Sequence, residues 1–240
     1  MAYLFDSKSN EPYKISRTKI DLFLECPHCF YLDRVLGISR PSGPGFSLNS
    51  AVDHLLKKEF DIYREKKEPH PLMLDSKIDA VPFIHADLDE WRENFKGVQV
   101  LHKHTNLLIT GAIDDVWVTP SEELFVVDYK ATSTEKEISL EDQYKQGYKR
   151  QMEVYQWLMR GKGFKVSNTG YFVFCNGIKD RDLFDKKLEF DLSIISYEGK
   201  SDWIEPVLKD IKDTLMKVET PAHSQTCEYG KYLKKAVDLE

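Results

Sequence analysis

The run Asp128-Tyr129-Lys130, together with Asp114 and His54, carries the residue types from which a metal centre is built. Val126 to Lys130 reads as a strand. Side chains on a strand alternate faces, so Asp128 and Lys130 point one way and Tyr129 the other. Thr119 to Glu123 reads as the turn joining this strand to the one before. Centred on Ser121, that hairpin sets Val118 against Leu124, Val116 against Val126 and Asp114 against Asp128. Two opposed carboxylates repel each other across a hairpin. A divalent cation between them reverses the sign, because hard cations take oxygen ligands at short range. Lys130 would lie beside the pair, opposite Ala112. A slip of one residue would bring Asp115 opposite instead and turn Asp114 away. Alternating Asp and Lys also occur on solvated strands, but the setting here is apolar. Ile109 to Val118 is apolar on both faces apart from Thr110 and the two aspartates. Acids on buried strands need a partner or a metal.

The elements that must position these residues follow from periodicity and turn signals. Ser16 can cap a helix running to about Arg34 that stops at Gly37. Pro41 to Gly45 is a loop by composition. A helix from about Ser47 to Lys66 carries His54, with Leu48, Ala51, Val52, Leu55, Leu56 and Tyr63 on one stripe. Residues 69 to 84 read as irregular, and a short helix fits 87 to 95. Strands are expected at 98–104, 107–118 and 124–131, then a helix from a Ser139 cap to Gly161. Two strands, 169–175 and 187–196, a helix at 202–218 and a polar tail complete the chain. The order predicts an α+β or α/β fold with one central mixed β-sheet flanked by helices. His102 and His104 alternate on a strand and are expected at the surface.

Composition sets the outer bounds. The chain has 240 residues, 41% apolar and 31% charged, enough for a substantial core in one domain. A net charge of -6 argues against coating nucleic acid through bulk charge, though not against a local basic groove. The start lacks a basic region followed by an apolar stretch, and no apolar run reaches membrane-spanning length. With four cysteines, a disulfide scaffold is not expected and a reducing cytoplasm is.

Gly111-Ala112-Ile113-Asp114, then Asp128-Tyr129-Lys130, then Gln151-x-x-x-Tyr155 resembles the PD-(D/E)XK nuclease superfamily. The branch that looks nearest is that of the RecB-type nuclease domains and the CRISPR-associated nucleases related to them. His54 on its helix is similar to that branch's upstream histidine, though a glycine of the motif is missing. The resemblance implies a restriction-endonuclease-like core with an N-terminal helical embellishment. A single nuclease domain over 1–240 is expected: a helical part at 1–68 carrying the histidine, a catalytic sheet core at 97–200, and a C-terminal helix and tail at 201–240. It also implies His54, Asp114, Asp128 and the carbonyl of Tyr129 as ligands of Mg²⁺ or Mn²⁺. Lys130 would orient or activate the attacking water and neutralise charge on the phosphate. The substrate implied is DNA, single-stranded or with free ends, with recombination or CRISPR-associated proteins as possible partners. Two alternatives stay open: a non-catalytic nucleic-acid-binding module, and a nuclease subunit active only within a larger complex.

On the helix after the hairpin, Tyr144, Tyr148, Gln151 and Tyr155 fall on one face, with Lys149 and Arg150 nearby. Tyr144 reads as packing. The resemblance casts Gln151 and Tyr155 as support for the active site, and the mixture of aromatic and basic residues, with Tyr148, Lys149 and Arg150, suits single strands. Cys26-Pro27-His28-Cys29 suggests a metal site. Relatives in the branch hold an iron–sulfur cluster with one cysteine before the core and three after it. Cys26 matches the upstream position, but only Cys227 remains downstream. No cluster of that type is expected; Cys26 and Cys227 are the candidate ligands should a cluster or a zinc site exist. Cys175, on an apolar strand, reads as a buried thiol.

Overall fold

A computed structural model of the chain describes residues 4–43, 45, 47–142 and 145–237. It divides into two compact units. One holds Met1–Pro44, Val100–Thr110 and Asp202–Glu240; the other holds Gly45–Gln99 and Gly111–Ser201. Among the described residues, no helix is long and apolar enough to cross a membrane.

The second unit is built on a five-stranded mixed sheet. Its strands are β2 (Val81–Pro82), β5 (Asp115–Val118), β6 (Leu124–Thr132), β7 (Thr169–Gly177) and β8 (Phe190–Glu198), ordered β2-β5-β6-β7-β8. β6 and β7 run parallel while the other pairs are antiparallel. A parallel pair needs a crossover, which α6 (Gln146–Gly161) supplies. Period-two alternation gives β6 two buried faces. Val127 and Tyr129, with Trp117, Val173 and Cys175, pack under Val52, Leu56 and Phe60 of α3 (Ser47–Lys66). The opposite face carries Asp128, which Gln151 of α6 reaches. Two short helices, α4 (Pro71–Asp75) and α5 (Leu88–Arg92), complete this unit.

A three-stranded sheet falls mainly in the first unit. It is ordered β1 (Tyr13–Ser16), β4 (Leu107–Gly111), β3 (Val98–His102), with β1 parallel to β4. α1 (Arg17–Glu25), α2 (Pro27–Arg34), α7 (Ile204–Leu215) and α8 (Glu228–Val237) belong to the same unit.

Several expectations are corrected. The strand expected over 107–118 is two strands in two sheets, because residues 112–114 leave the ladder. The Ile113 N–H donates to Trp91 O at 3.0 Å and the Asp114 carbonyl accepts from Arg92 Nε at 3.0 Å. These backbone groups are satisfied by the α5 region instead of a neighbouring strand. At Gly111, the last residue of β4, a Cβ would lie 2.7 Å from Tyr155 Cε1 of α6, so the position admits only glycine without a shift. The helix expected from Ser16 to Arg34 breaks at Cys26 (φ -162°, ψ 104°), since Pro27 forces its predecessor out of the helical region. α6 starts at Gln146; Ser139 Oγ instead accepts the Glu141 N–H at 3.1 Å. Tyr144, and Pro44 of the 41–45 loop, lie outside the described residues. α4 and β2 form within the stretch read as irregular, and α8 within the tail. On α3, Leu48 and Leu55 are exposed and Phe60 takes their place in the core, so the buried stripe is rotated from the expected one. His102 is buried rather than superficial, between Thr105 Oγ1 and Glu205 Oε2, each at 2.8 Å.

Candidate functional site

The β5–β6 ladder pairs Asp115 with Val127, Val116 with Val126 and Val118 with Leu124, symmetric about Ser121. Asp114, one residue before β5, thereby comes level with Asp128, and its Oδ2 accepts the Tyr129 N–H at 2.9 Å. Asp115 faces the other way and is fully buried. It accepts hydrogen bonds from Arg64 Nη2 at 2.5 Å, Arg92 Nη2 at 3.3 Å and the Tyr129 hydroxyl at 2.7 Å. Two guanidinium groups satisfy Asp115, which makes it structural and leaves Asp114 as the acid of the site.

Asp128 is fully buried between β5 and β7. Gln151 Nε2 donates to its Oδ1 at 2.7 Å and to the Tyr155 hydroxyl at 3.1 Å, while Gln151 Oε1 accepts from Lys130 Nζ at 3.2 Å. One amide therefore fixes the acid, the lysine and the tyrosine together. The Lys130 ammonium also meets Asp128 Oδ2 as a close ion pair. The same ammonium sits 4.6 Å above the Tyr148 ring.

Two groups from α3 join the site that sequence reasoning did not single out. Lys57 Nζ donates to Asp53 Oδ2 at 2.7 Å and to Asp114 Oδ1 at 3.1 Å. Asp53 and Asp114 thus share the Lys57 ammonium. The signal was the Asp53-x-x-x-Lys57 spacing, which places both on one helical face. Burial opposes ionisation of Asp114, but Lys57, Lys130 and the Tyr129 N–H outweigh it and hold its carboxyl below the usual range. Burial pushes Asp128 up to about 7, with Asp114 adding to the rise and Lys130 opposing it. Burial and then Asp114 raise Asp53. Burial also works against the Lys57 charge, yet Asp114 and Asp53 keep it above the ordinary lysine range. Burial thus favours the protonated form of Asp128, while the two lysines favour the ionised form of Asp114.

The site opens into a cleft of about 710 Å³, whose lining includes Asp53, His54, Lys57, Asp114, Tyr129, Lys130, Tyr148 and Gln151. His54 is exposed on the α3 wall, one position past Asp53. Tyr155 is buried behind the cleft and supports Gln151. Lys149 and Arg150 were expected to bind substrate, but neither lines the cleft. They follow Tyr148 on α6, and about 100° of rotation per residue carries them off the Tyr148–Gln151–Tyr155 face. Lys149 Nζ instead bonds Glu141 Oε1 at 3.1 Å.

The donor set suits a hard cation. Lys57, Lys58, Arg92 and Lys130 line the cleft against Asp53, Asp61, Asp89, Glu93 and Asp114, with Asp128 behind them. Asp128, whose Oδ2 meets only the Lys130 ammonium, and Asp114 beside it offer carboxylate oxygens of the kind Mg²⁺ or Mn²⁺ prefers.

The sequence profile of the PD-(D/E)XK nuclease superfamily matches residues 14–232. The crystal structure of SSO0001 aligns at 15% identity over 96% of this chain and 87% of that one, with a TM-score of 0.40. No curated protein matches the chain. Members of the superfamily generally hydrolyse phosphodiester bonds and typically use divalent metals such as Mg²⁺ or Mn²⁺. With the profile spanning nearly its whole length and the acids and lysine gathered at one cleft, the chain belongs to the PD-(D/E)XK nuclease superfamily.

Proposed function

We propose that this chain is a RecB-like deoxyribonuclease that hydrolyses phosphodiester bonds in single-stranded DNA or at DNA ends, with Mg²⁺ or Mn²⁺. The observation that carries the reading is the Gln151 amide, which ties buried Asp128 to Lys130 beside Asp114. Asp114 and Asp128, with Asp53, His54 and the Tyr129 carbonyl around them, would hold the ion, which supplies positive charge to polarise the phosphodiester and acidify water. Lys130 places a fixed ammonium where negative charge develops on the phosphate. Lys57 keeps Asp114 ionised. Tyr148, at the cleft wall, presents an aromatic ring to an unpaired base, which favours a single strand as substrate. A binding module without turnover would not need a lysine and two acids at one buried point, so the catalytic reading is preferred.

The test is a comparison of end-labelled substrates in Mn²⁺: a linear DNA strand, the same strand as a duplex, and an RNA strand. The DNA strand should be cut fastest. Faster cutting of RNA, or of the internal part of the duplex, would overturn the substrate assignment.

A further inference from the structure

We infer that Cys26, Cys29, His223 and Cys227 form a structural zinc site, separate from the acidic cleft. The four residues offer ligand atoms that all lie within 4.8 Å of one another. Cys26, Cys29 and Cys227 are buried and unpaired by disulfides. Cys29 Sγ lies 3.6 Å from Cys227 Sγ, and Cys26 Sγ lies 3.5 Å from His223 Nδ1. A tetrahedron with Zn–S of about 2.3 Å and Zn–N of about 2.0–2.1 Å has S···S edges of about 3.8 Å and S···N edges of about 3.5–3.6 Å. These two spacings match those edges, and the Cys29–Cys227 separation is far too long for a disulfide, whose sulfurs lie about 2.0 Å apart.

The surroundings are those of a built site. Pro27 breaks the chain at Cys26, so Cys26 precedes α2 while Cys29 sits in its first turn. Cys227 precedes α8 in the same way, and its carbonyl accepts the Lys231 N–H at 3.0 Å. Thiolates at helix N-termini meet the positive end of the helix dipole. Gly230 lets α8 come close, since a Cβ there would lie 2.6 Å from His223 Cγ. His28 stacks on the His223 ring with centroids 3.6 Å apart, and its Nδ1 donates to Pro221 O at 2.7 Å. Such outer contacts fix the orientation of a ligating imidazole. Gly230 N–H donates to Cys227 Sγ at 3.4 Å, and Arg40 Nη2 approaches it at 3.9 Å. Three thiolates, a neutral imidazole and Zn²⁺ carry one net negative charge, which Arg40 faces.

An iron–sulfur cluster does not fit these positions. A four-iron cluster holds its ligand sulfurs apart by its own width, whereas these donors nearly touch, and one of them is an imidazole. A single tetrahedral ion with Cys₃His ligation fits. It would tie the α1–α2 joint to α8 across some 198 residues of sequence.

The test is elemental analysis of protein purified without added metal or chelator, with a cobalt-substituted sample. Zinc at roughly one atom per chain is expected, and cobalt should give visible ligand-field bands together with thiolate charge transfer. Cys29→Ser and His223→Ala should reduce zinc at least tenfold, whereas Cys175→Ser and Asp128→Asn should leave it unchanged. In case the first two variants fold poorly, the wild type alone gives a second readout. Three of its thiols should resist a thiol reagent until a chelator is added. Absence of zinc with freely reacting thiols, or iron with acid-labile sulfide, would overturn the assignment. Neither result depends on nuclease activity.

Discussion

Replacing Asp128 with asparagine separates what the carboxylate does for chemistry from what it does to stability. Without a divalent cation, Asp128 is a buried acid, and burial, with Asp114 adding to it, raises its carboxyl from 3.8 to about 7 against the pull of Lys130. The sign follows from linkage. A group whose folded pKa is raised contributes stability that is fully present below its unfolded pKa and is lost as pH climbs through the folded one. The window here runs from about pH 4 to about pH 7. A gap of roughly three units at about 1.4 kcal/mol each sets a ceiling of about 4 kcal/mol. Asparagine has no charge to bury and keeps an oxygen for Gln151. Lys130 retains Gln151 Oε1 at 3.2 Å and the field of Asp114, so the lost ion pair removes only part of the gain. In urea denaturation with chelator, Asp128→Asn should be about 1–3 kcal/mol more stable than the wild type at about pH 8, with the advantage shrinking towards pH 4. Added Mn²⁺ should raise the wild-type midpoint and leave that of the variant unchanged. A chelated variant less stable than the wild type at about pH 8 would refute the reasoning, because the acid would then belong to the fold rather than to a cation.

Gln151→Ala frees Asp128 Oδ1 and Lys130 at once, and should lower turnover roughly ten- to a hundredfold at saturating metal while the melting temperature holds; unchanged turnover would mean that the amide only packs. Gly111→Ala drives a methyl against Tyr155 and Leu158 of α6, which should destabilise the protein by about 1–3 kcal/mol in thermal or chemical unfolding. A neutral result there would contradict the close approach of Gly111 to α6.

The acid pair and its lysine were legible because a short hairpin fixes register, and register fixes which aspartate faces Asp128. Gln151 was legible from its place on the α6 face. Asp53 and Lys57 were not, because an i,i+4 acid–lysine pair looks the same on a solvated helix as on one that faces a cleft. The break at 112–114 was hidden for another reason: alternation continues through it, while the partners of its backbone, Trp91 and Arg92, lie some twenty residues away. His223 escaped notice because Cys26 and Cys29 are joined to it only by the fold.

The central claim is that Asp114, Asp128 and Lys130 cut a phosphodiester. The most direct measurement is digestion of a labelled single strand in Mn²⁺ by the wild type and by Lys130→Ala, both checked for equal folding. The account predicts products from the wild type and a loss of roughly a hundredfold or more in the variant, the scale on which removal of one transition-state stabilising group is felt. Equal cutting by the two proteins would contradict it.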